Sequence, residues 1–411
     1  MAQTASTPAQ VKQAMPRAFW GLWFICAVGW AGRFVVPFLT LYMTVHAGYT
    51  ATMAGVVMSM FGLGGVIAVV AAGVLIDRLG ARRMLVAALT GTGIVATLLA
   101  VLDADRIVVA LLVLLLGMTS QAMAPAFNAL VAIIVPMERL RAAYSFTFIG
   151  INFGFALGPI VGGMLAQVSY SLIFAAEAGF MLIAVVVALL LPTSGGNQLP
   201  ESVDTDSTPI PEPVGEGLMT VLRDGVFIRM AVWNVLFMVM YLQTQITLPI
   251  VLERDGFTST EYGVLLSLNG VMLVVFQLGA DRITRGMTQG KLLVAGTLLV
   301  GIGITSHMFG TVLWLHAICV VVWTAGELIN MPVSTNVAAR LAPDHLRGRY
   351  LGLFATSFSF ATFIGPLLGG FVLDTWGSSG LWIGCAALAL VVLVGRMRNA
   401  SAVEARMKGR Y

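Results

Sequence analysis

Charge is scarce in this chain. Asp, Glu, Lys and Arg make up 10% of its 411 residues, against roughly a quarter in soluble globular domains, and the mean hydropathy is +0.93. That shortage excludes an ordinary water-soluble domain. Cysteine is scarce as well. Cys26, Cys319 and Cys385 each fall inside an apolar run, which excludes a disulfide framework or a cysteine metal site and leaves small packing residues. Period-two alternation is missing: runs such as "VVALLVLLLG" and "FMLIAVVVALLL" are continuously apolar, which excludes the strands of a membrane barrel. There is no phosphate-binding loop, no nucleophile elbow and no His/Asp/Glu cluster at metal-ligand spacing. An enzyme, a cofactor and a metal are therefore not expected.

Long apolar runs are abundant instead. A spanning helix needs about 20 mostly apolar residues, and twelve stretches qualify: 18–45, 51–76, 84–102, 106–135, 143–168, 171–192, 226–252, 261–280, 290–310, 312–340, 350–373 and 379–395. The fold class is an all-α polytopic membrane protein with twelve transmembrane helices. The first run follows seventeen polar or mixed residues and is too long for a signal-peptide core, so it is expected to be helix 1. With the amino terminus inside, 20 of the 23 Lys and Arg residues fall in cytoplasmic segments, which places both termini in the cytoplasm. The net charge of +4 belongs to these membrane flanks and requires no nucleic-acid partner.

Between runs six and seven, "TSGGNQLPESVDTDSTPIPEPVGEG" is rich in Pro, Ser, Gly and acids. It cannot bury enough apolar surface to fold alone and reads as a flexible cytoplasmic linker, 193–225, between two six-helix bundles, 1–192 and 226–411. The bundles repeat. Pro125 and Pro332 are 207 residues apart, as are Pro136 and Pro343, Gly158 and Gly365, Pro159 and Pro366, Gly162 and Gly369, and Gly163 and Gly370. An even number of spans per half makes the repeats parallel, an architecture of secondary transporters that handle substrate between the halves.

Two motifs carry a resemblance. "GVLIDRLGARRM", between spans 2 and 3, presents Gly73, Asp77, Arg78, Gly80, Arg82 and Arg83. "GFALGPIVGG", in span 5, presents Gly154, Gly158, Pro159, Gly162 and Gly163. With the twelve-span plan they resemble the major facilitator superfamily over essentially the whole chain, and the second resembles the signature of its twelve-span drug:proton antiporters. Physically, Asp77 at the end of helix 2 suits the positive amino terminus of another helix, which the resemblance makes helix 11, while Arg82 and Arg83 suit anionic headgroups. The first motif is expected to act as a conformational latch. Asp281 and Arg282 are its degenerate echo in the second half. Glycines at i, i+4 and i+8 make a smooth face and Pro159 removes a backbone donor, so the second motif is expected to be a hinge, with ordinary close packing the alternative. One departure stands out. Many proton-coupled exporters of this superfamily carry an arginine in helix 4, and the matching position here is Val113.

A charge at the bilayer centre costs on the order of 2.5–3.5 kcal/mol, so intramembrane ionisable groups mark function. Glu327 lies mid-span in "WTAGELINMPVS", and Arg33 is the only basic residue inside a predicted span away from its ends. Helical spacing puts Trp323, Glu327, Asn330 and Ser334 on one face of helix 10. Trp30 and Arg33 share a face of helix 1, Gln121 and Asn128 one of helix 4, and Asn234, Tyr241 and Gln245 one of helix 7. By resemblance, helices 1, 4, 7 and 10 line a central cavity. Glu327, with Arg33, is expected to couple proton binding to the exposed state; the alternatives are a structural carboxylate, paired with Arg33 or hydrogen-bonded across helices, and direct recognition of a cationic substrate. Glu177 is expected to snorkel to the interface, His307 and His316 to lie at the surface, and Asp374 and Glu253 to sit on the outer face.

The expected function is a bacterial inner-membrane exporter exchanging protons for hydrophobic, drug-like small molecules by alternating access, working as a monomer in the lipid bilayer. Twenty-two methionines and many aromatic residues lean the same way. The alternatives are a proton symporter or facilitator of a small metabolite such as a sugar and, from another class, a channel or a transport-dead receptor.

Overall fold

The structure, a computed structural model, describes residues 15–33, 35–102, 105–191, 218–277, 279, 286–343 and 346–408. The linker residues 192–217, and with them most of the expected linker, lie outside the described residues, as do Asp281 and Arg282. Residues 218–223, also assigned to the linker, form a short helix, Leu218–Arg223.

Among the described residues, eleven helices are long and apolar enough to cross a membrane. The last, Arg347–Lys408, is bent in two at Gly377, whose φ of +70° only glycine adopts without strain. Counting its two arms separately gives twelve spans: α1 (17–46), α2 (Ala51–Leu79), α3 (Ala81–Val101), α4 (Arg106–Ile134), α5 (Leu140–Val168), α6 (Tyr170–Leu190), α7 (Gly225–Arg254), α8 (Ser259–Gln277), α9 (Gln289–Ser306), α10 (Leu313–Leu341), α11 (347–376) and α12 (378–408). No strand occurs among the described residues. Helix starts are written in short polar caps. Thr50, Asp105, Ser169, Asp224 and Thr288 accept first-turn N–H groups of α2, α4, α6, α7 and α9, and Thr258 with Glu261 forms a reciprocal capping box before α8. Gly80, at φ +82°, turns α2 directly into α3.

The first helix of each half is interrupted near its middle. In α1, Arg17–Ala31 gives way to Val35–Leu41 and then to a widened turn, Tyr42–His46. In α7, Gly225–Tyr241 is followed by Gln243–Ile246 and Leu248–Arg254. Such breaks are tolerated in a membrane where protein surrounds them or they line a cavity.

Even helix counts put both ends of each half on one face, here the near face. On the opposite, far face the halves interlock along α2 against α11 and α5 against α8. An alanine Cβ at Gly62 would lie 2.6 Å from the Phe363 nitrogen, at Gly270 2.8 Å from the Ala156 Cα, and at Gly163 2.9 Å from the Thr260 Cα. Backbone meets backbone there, as small residues allow. Asp374 of α11 accepts N–H bonds from Thr52 (2.7 Å) and Ala51 (3.2 Å), capping α2 from the other half, with Arg254 of α7 at 3.4 Å.

Candidate functional site: a central cavity between the halves

A cavity of about 960 Å³ lies between the halves. Its walls run from the broken middles of α1 and α7 to near-face positions: Phe148 of α5, Gln277 of α8, Ala339 of α10 and Phe358 of α11. It therefore reaches the near face while the far-face interlock seals it above. Phe61, Phe155, Leu273 and Met331 make most of the surface apolar, and two polar clusters stand on it.

The first belongs to the amino-terminal half. Arg33, in the interruption of α1, stacks its guanidinium 4.7 Å over the Trp30 ring and donates from Nη2 to Gln121 Oε1 of α4 at 3.0 Å. Behind it, Glu177 of α6 is 1% exposed and accepts the Val35 N–H at 3.2 Å. That N–H opens the second segment of α1 and has no intrahelical partner, so Glu177 caps the broken helix from a neighbouring one. The expectation that Glu177 snorkels to the interface is corrected: the orphaned N–H beside it offers a better partner than the headgroups.

The second cluster belongs to the carboxyl-terminal half. Glu327, 8% exposed, accepts from Tyr241 Oη at 2.8 Å and from Asn269 Nδ2 at 2.8 Å. Asn269 also donates to Thr324 Oγ1 at 3.0 Å. Among the described residues no cation pairs with the carboxylate, so the alternative of a Glu327–Arg33 pair is absent from this conformation. The chemistry of this arrangement is specific. A carboxylate accepts both bonds, whereas a carboxylic acid also has an O–H to donate, so taking up a proton weakens one of the two bonds and adds a donor that needs an acceptor at Tyr241, Thr324 or in the cavity. Asn269 escaped the sequence reading, although a lone Asn inside "LLSLNGVML" was its signal.

Of the expected cavity residues, Trp30, Arg33, Gln121, Tyr241, Gln245 and Glu327 share this wall. Four do not. Asn128 is exposed elsewhere; Trp323, 1% exposed, packs edge-on to Tyr241 at 5.9 Å; Asn330 is buried and accepts from Ser334 at 3.1 Å; Asn234 is buried beside Arg396 in the carboxyl-terminal bundle. Helical spacing identified the faces but not how deep along them the cavity runs. Val113 is fully buried in the core.

The span 5 motif bridges three helices. Gly154 and Gly158 seat against the α1 backbone at Ala31, just before its interruption, while Pro159 and Gly163 meet α8, and Gly162 is buried. In the loop 2–3 motif, Arg82 donates to the Leu189 carbonyl at 2.7 Å and the Ala188 carbonyl at 3.2 Å. It satisfies the carboxyl end of α6, as the helix dipole favours. Asp77, Arg78 and Arg83 are exposed, and Asp77 makes no hydrogen bond or ion pair among the described residues. Gly73 faces open space.

Three further expectations change. His307 and His316 are 3% and 0% exposed, with their Nδ1 atoms 2.8 Å apart, so they are not surface residues. Arg396 is a second basic residue inside the bundle, and a buried one where Arg33 is half-buried on the cavity wall, because α12 continues past the predicted end at 395. Asp374 is an outer-face residue, but one engaged across the halves.

A twelve-helix protein with a midplane cavity between repeated halves can be compared with known proteins directly. The family model of the Major Facilitator Superfamily matches residues 21–288 and 244–405. The chain belongs to the Major Facilitator Superfamily. It is accordingly a secondary transporter rather than an enzyme. Its superfamily relatives include the uncharacterised transporter YttB of Bacillus subtilis, 24% identical over 92% of this chain and 94% of that one. The Na(+), Li(+), K(+)/H(+) antiporter of Planococcus maritimus is 22% identical over 81% and 84%. The quinolone resistance protein NorA of Staphylococcus aureus is 23% identical over 91% and 95%. Among solved superfamily structures, a POT family transporter in complex with 5-aminolevulinic acid aligns with TM-score 0.76 at 17% identity, over 94% of this chain and 97% of that chain. The nucleoside transporter NupG aligns with TM-score 0.75 at 16% identity, over 93% and 98%. These similarities establish the fold.

Proposed function

We propose that this superfamily member is a proton-coupled exporter of hydrophobic, drug-like small molecules, working by alternating access in the bacterial inner membrane. The observation that carries the reading is Glu327, a buried carboxylate on the cavity wall held by two neutral donors. Distant similarity to NorA and to a cation/proton antiporter supports the same direction. With both termini in the cytoplasm, as the basic residues require, the near face is cytoplasmic and the structure is the inward-open state.

In this reading a drug enters from the cytoplasm or inner leaflet and spreads over the apolar wall. Its polar or cationic group competes for Glu327, displacing the proton, and Tyr241 and Asn269 exchange partners as the carboxyl group changes from donor to acceptor. The glycine face of α5 lets the halves rock about the α1 interruption. Ligand and proton shift the equilibrium only through different affinities for the two states. The latch motif at Asp77 closes the near face in the opposite state.

The test is transport in proteoliposomes loaded with a pH-sensitive dye, under an imposed proton gradient, with lipophilic cations and neutral drugs as substrates. The expected outcome is substrate-dependent proton flux in the wild type and none in Glu327→Gln, which keeps the shape but cannot titrate. Unchanged coupling in the variant removes Glu327 from the mechanism, and substrate movement without proton movement replaces the exporter by a facilitator.

A further inference from the structure

A second, much smaller chamber lies within the carboxyl-terminal bundle, away from the transport cavity. It has about 20 Å³ of room and is lined by Trp233 and Asn234 of α7, the first turn of α9 at Gly290 and Leu293, and Arg396 and Asn399 of α12. Arg396 dominates it. The side chain is 6% exposed, its Cζ lies 4.8 Å over the Phe237 ring, and Nη1 donates to Thr297 Oγ1 at 2.7 Å and to the Leu293 carbonyl at 3.3 Å. Nε and Nη2 have no protein acceptor among the described residues. Among the described residues no carboxylate pairs with this guanidinium; Glu404, the nearest acid along α12, stands instead against Gly290 at the edge of the chamber. A buried charge without a counter-charge is among the costlier things a protein interior can hold.

The other groups here are biased the same way. Trp233 Nε1 is buried and has no acceptor. Asn399 spends its carbonyl oxygen on the Arg229 Nε at 3.2 Å, which leaves its N–H groups and adds a second guanidinium nearby. Asn234 is 97% buried with its side-chain oxygen unpartnered, and a rotation of that amide presents N–H groups to the chamber instead. The chamber is thus rich in donors and cationic, and it sits at the positive end of α9.

We propose that this chamber binds one monoatomic anion, chloride, held by Arg396, the Trp233 indole N–H and the Asn399 amide, which pins α12 to α7 and α9. Its size decides the ligand class. A volume near one water-sized sphere admits a halide and excludes phosphate, sulfate and lipid headgroups. Nothing in this site depends on the transport reading.

The test is thermal denaturation of the purified full-length protein in detergent, titrating sodium chloride against sodium gluconate at constant ionic strength. The wild-type midpoint rises saturably with chloride, as ligand linkage requires, and Arg396→Gln abolishes the response. Trp233→Phe keeps an aromatic ring in place of the indole, removes one donor and raises the half-saturating chloride concentration about fivefold, the loss expected for one neutral hydrogen bond. Equal wild-type midpoints in chloride and gluconate at every concentration overturn the proposal. Should Arg396→Gln not fold, Trp233→Phe and crystals grown in bromide decide it: an anomalous peak between Arg396 and Trp233 sustains the site, and water alone there removes it.

Discussion

The two ends of the α2–α11 seam are built from the same kinds of residue and do opposite things. At the far face Gly55, Gly62 and Gly370 press against backbone of the other half, and Asp374 at the end of α11 caps the start of α2 through Ala51 and Thr52. At the near face Gly73 of α2 and Gly348 and Gly352 of α11 meet nothing within 4 Å, and Asp77 at the end of α2 stands free of the start of α11. One end is a closed glycine seam with a carboxylate cap. The other has the same parts, open. Each half supplies an acid at the end of one seam helix, and in this conformation only Asp374 engages the start of the other. The difference between the ends is conformational rather than chemical.

That comparison can be broken in order of expected effect. Gly62→Leu should be the most damaging change, because its side chain must displace the α11 backbone. Overpacking costs about 1–3 kcal/mol, so the thermal midpoint should fall and far-face cysteine probes should become accessible. Gly73→Leu should leave the midpoint of this conformation unchanged while suppressing turnover, because it obstructs only the closure of the near face. Equal midpoint losses for the two would mean that the near-face seam is already packed. Asp374→Asn comes next. Losing a charge-assisted cap costs on the order of 1 kcal/mol, enough for a several-fold shift toward far-face opening in distance measurements between spin labels, with Asp77→Asn shifting the equilibrium the opposite way.

Glu177→Gln should have an intermediate effect on coupling. The amide still offers an oxygen to the Val35 N–H, so the midpoint should hold within about 0.5 kcal/mol. A large fall in midpoint would show that charge, not shape, holds the interruption. The smallest effect is expected at Asp224, outside the spans. Burial raises its pKa, but the Arg406 guanidinium, the Tyr350 hydroxyl and the Phe227 N–H outweigh that and leave it below the ordinary carboxylate value. A depressed folded-state pKa stabilises above the unfolded value, and that stability is lost as pH falls through the folded one. The midpoint should therefore decline below about pH 4, and Asp224→Asn should flatten that part of the profile.

Much of this was legible in the sequence because membranes impose simple rules. Span number, parallel repeat and superfamily followed from apolar runs, a 207-residue offset and two glycine-rich motifs. The polar faces of helices 1, 4, 7 and 10 were readable from spacing, and six of the expected residues meet on one wall. Partners were not readable. Asn269 lies on a helix that carried no expected site residue, Glu177 is explained only by an interruption in a different helix, and Arg396 lay beyond a predicted span end.

Sequence alone determined that this chain enters a bilayer as two matched six-helix bundles, because hydrocarbon permits backbone only as helix or closed barrel and the apolar runs choose helix. It also determined that Glu327 needs protein or water beside it, since lipid cannot solvate a carboxylate. Tertiary structure decided which neutral donors hold Glu327, which broken helix Glu177 caps, and which end of the glycine seam is shut. Those depend on hydrogen bonds of 2.7–3.2 Å between residues from 58 to 323 positions apart, and no local pattern encodes them.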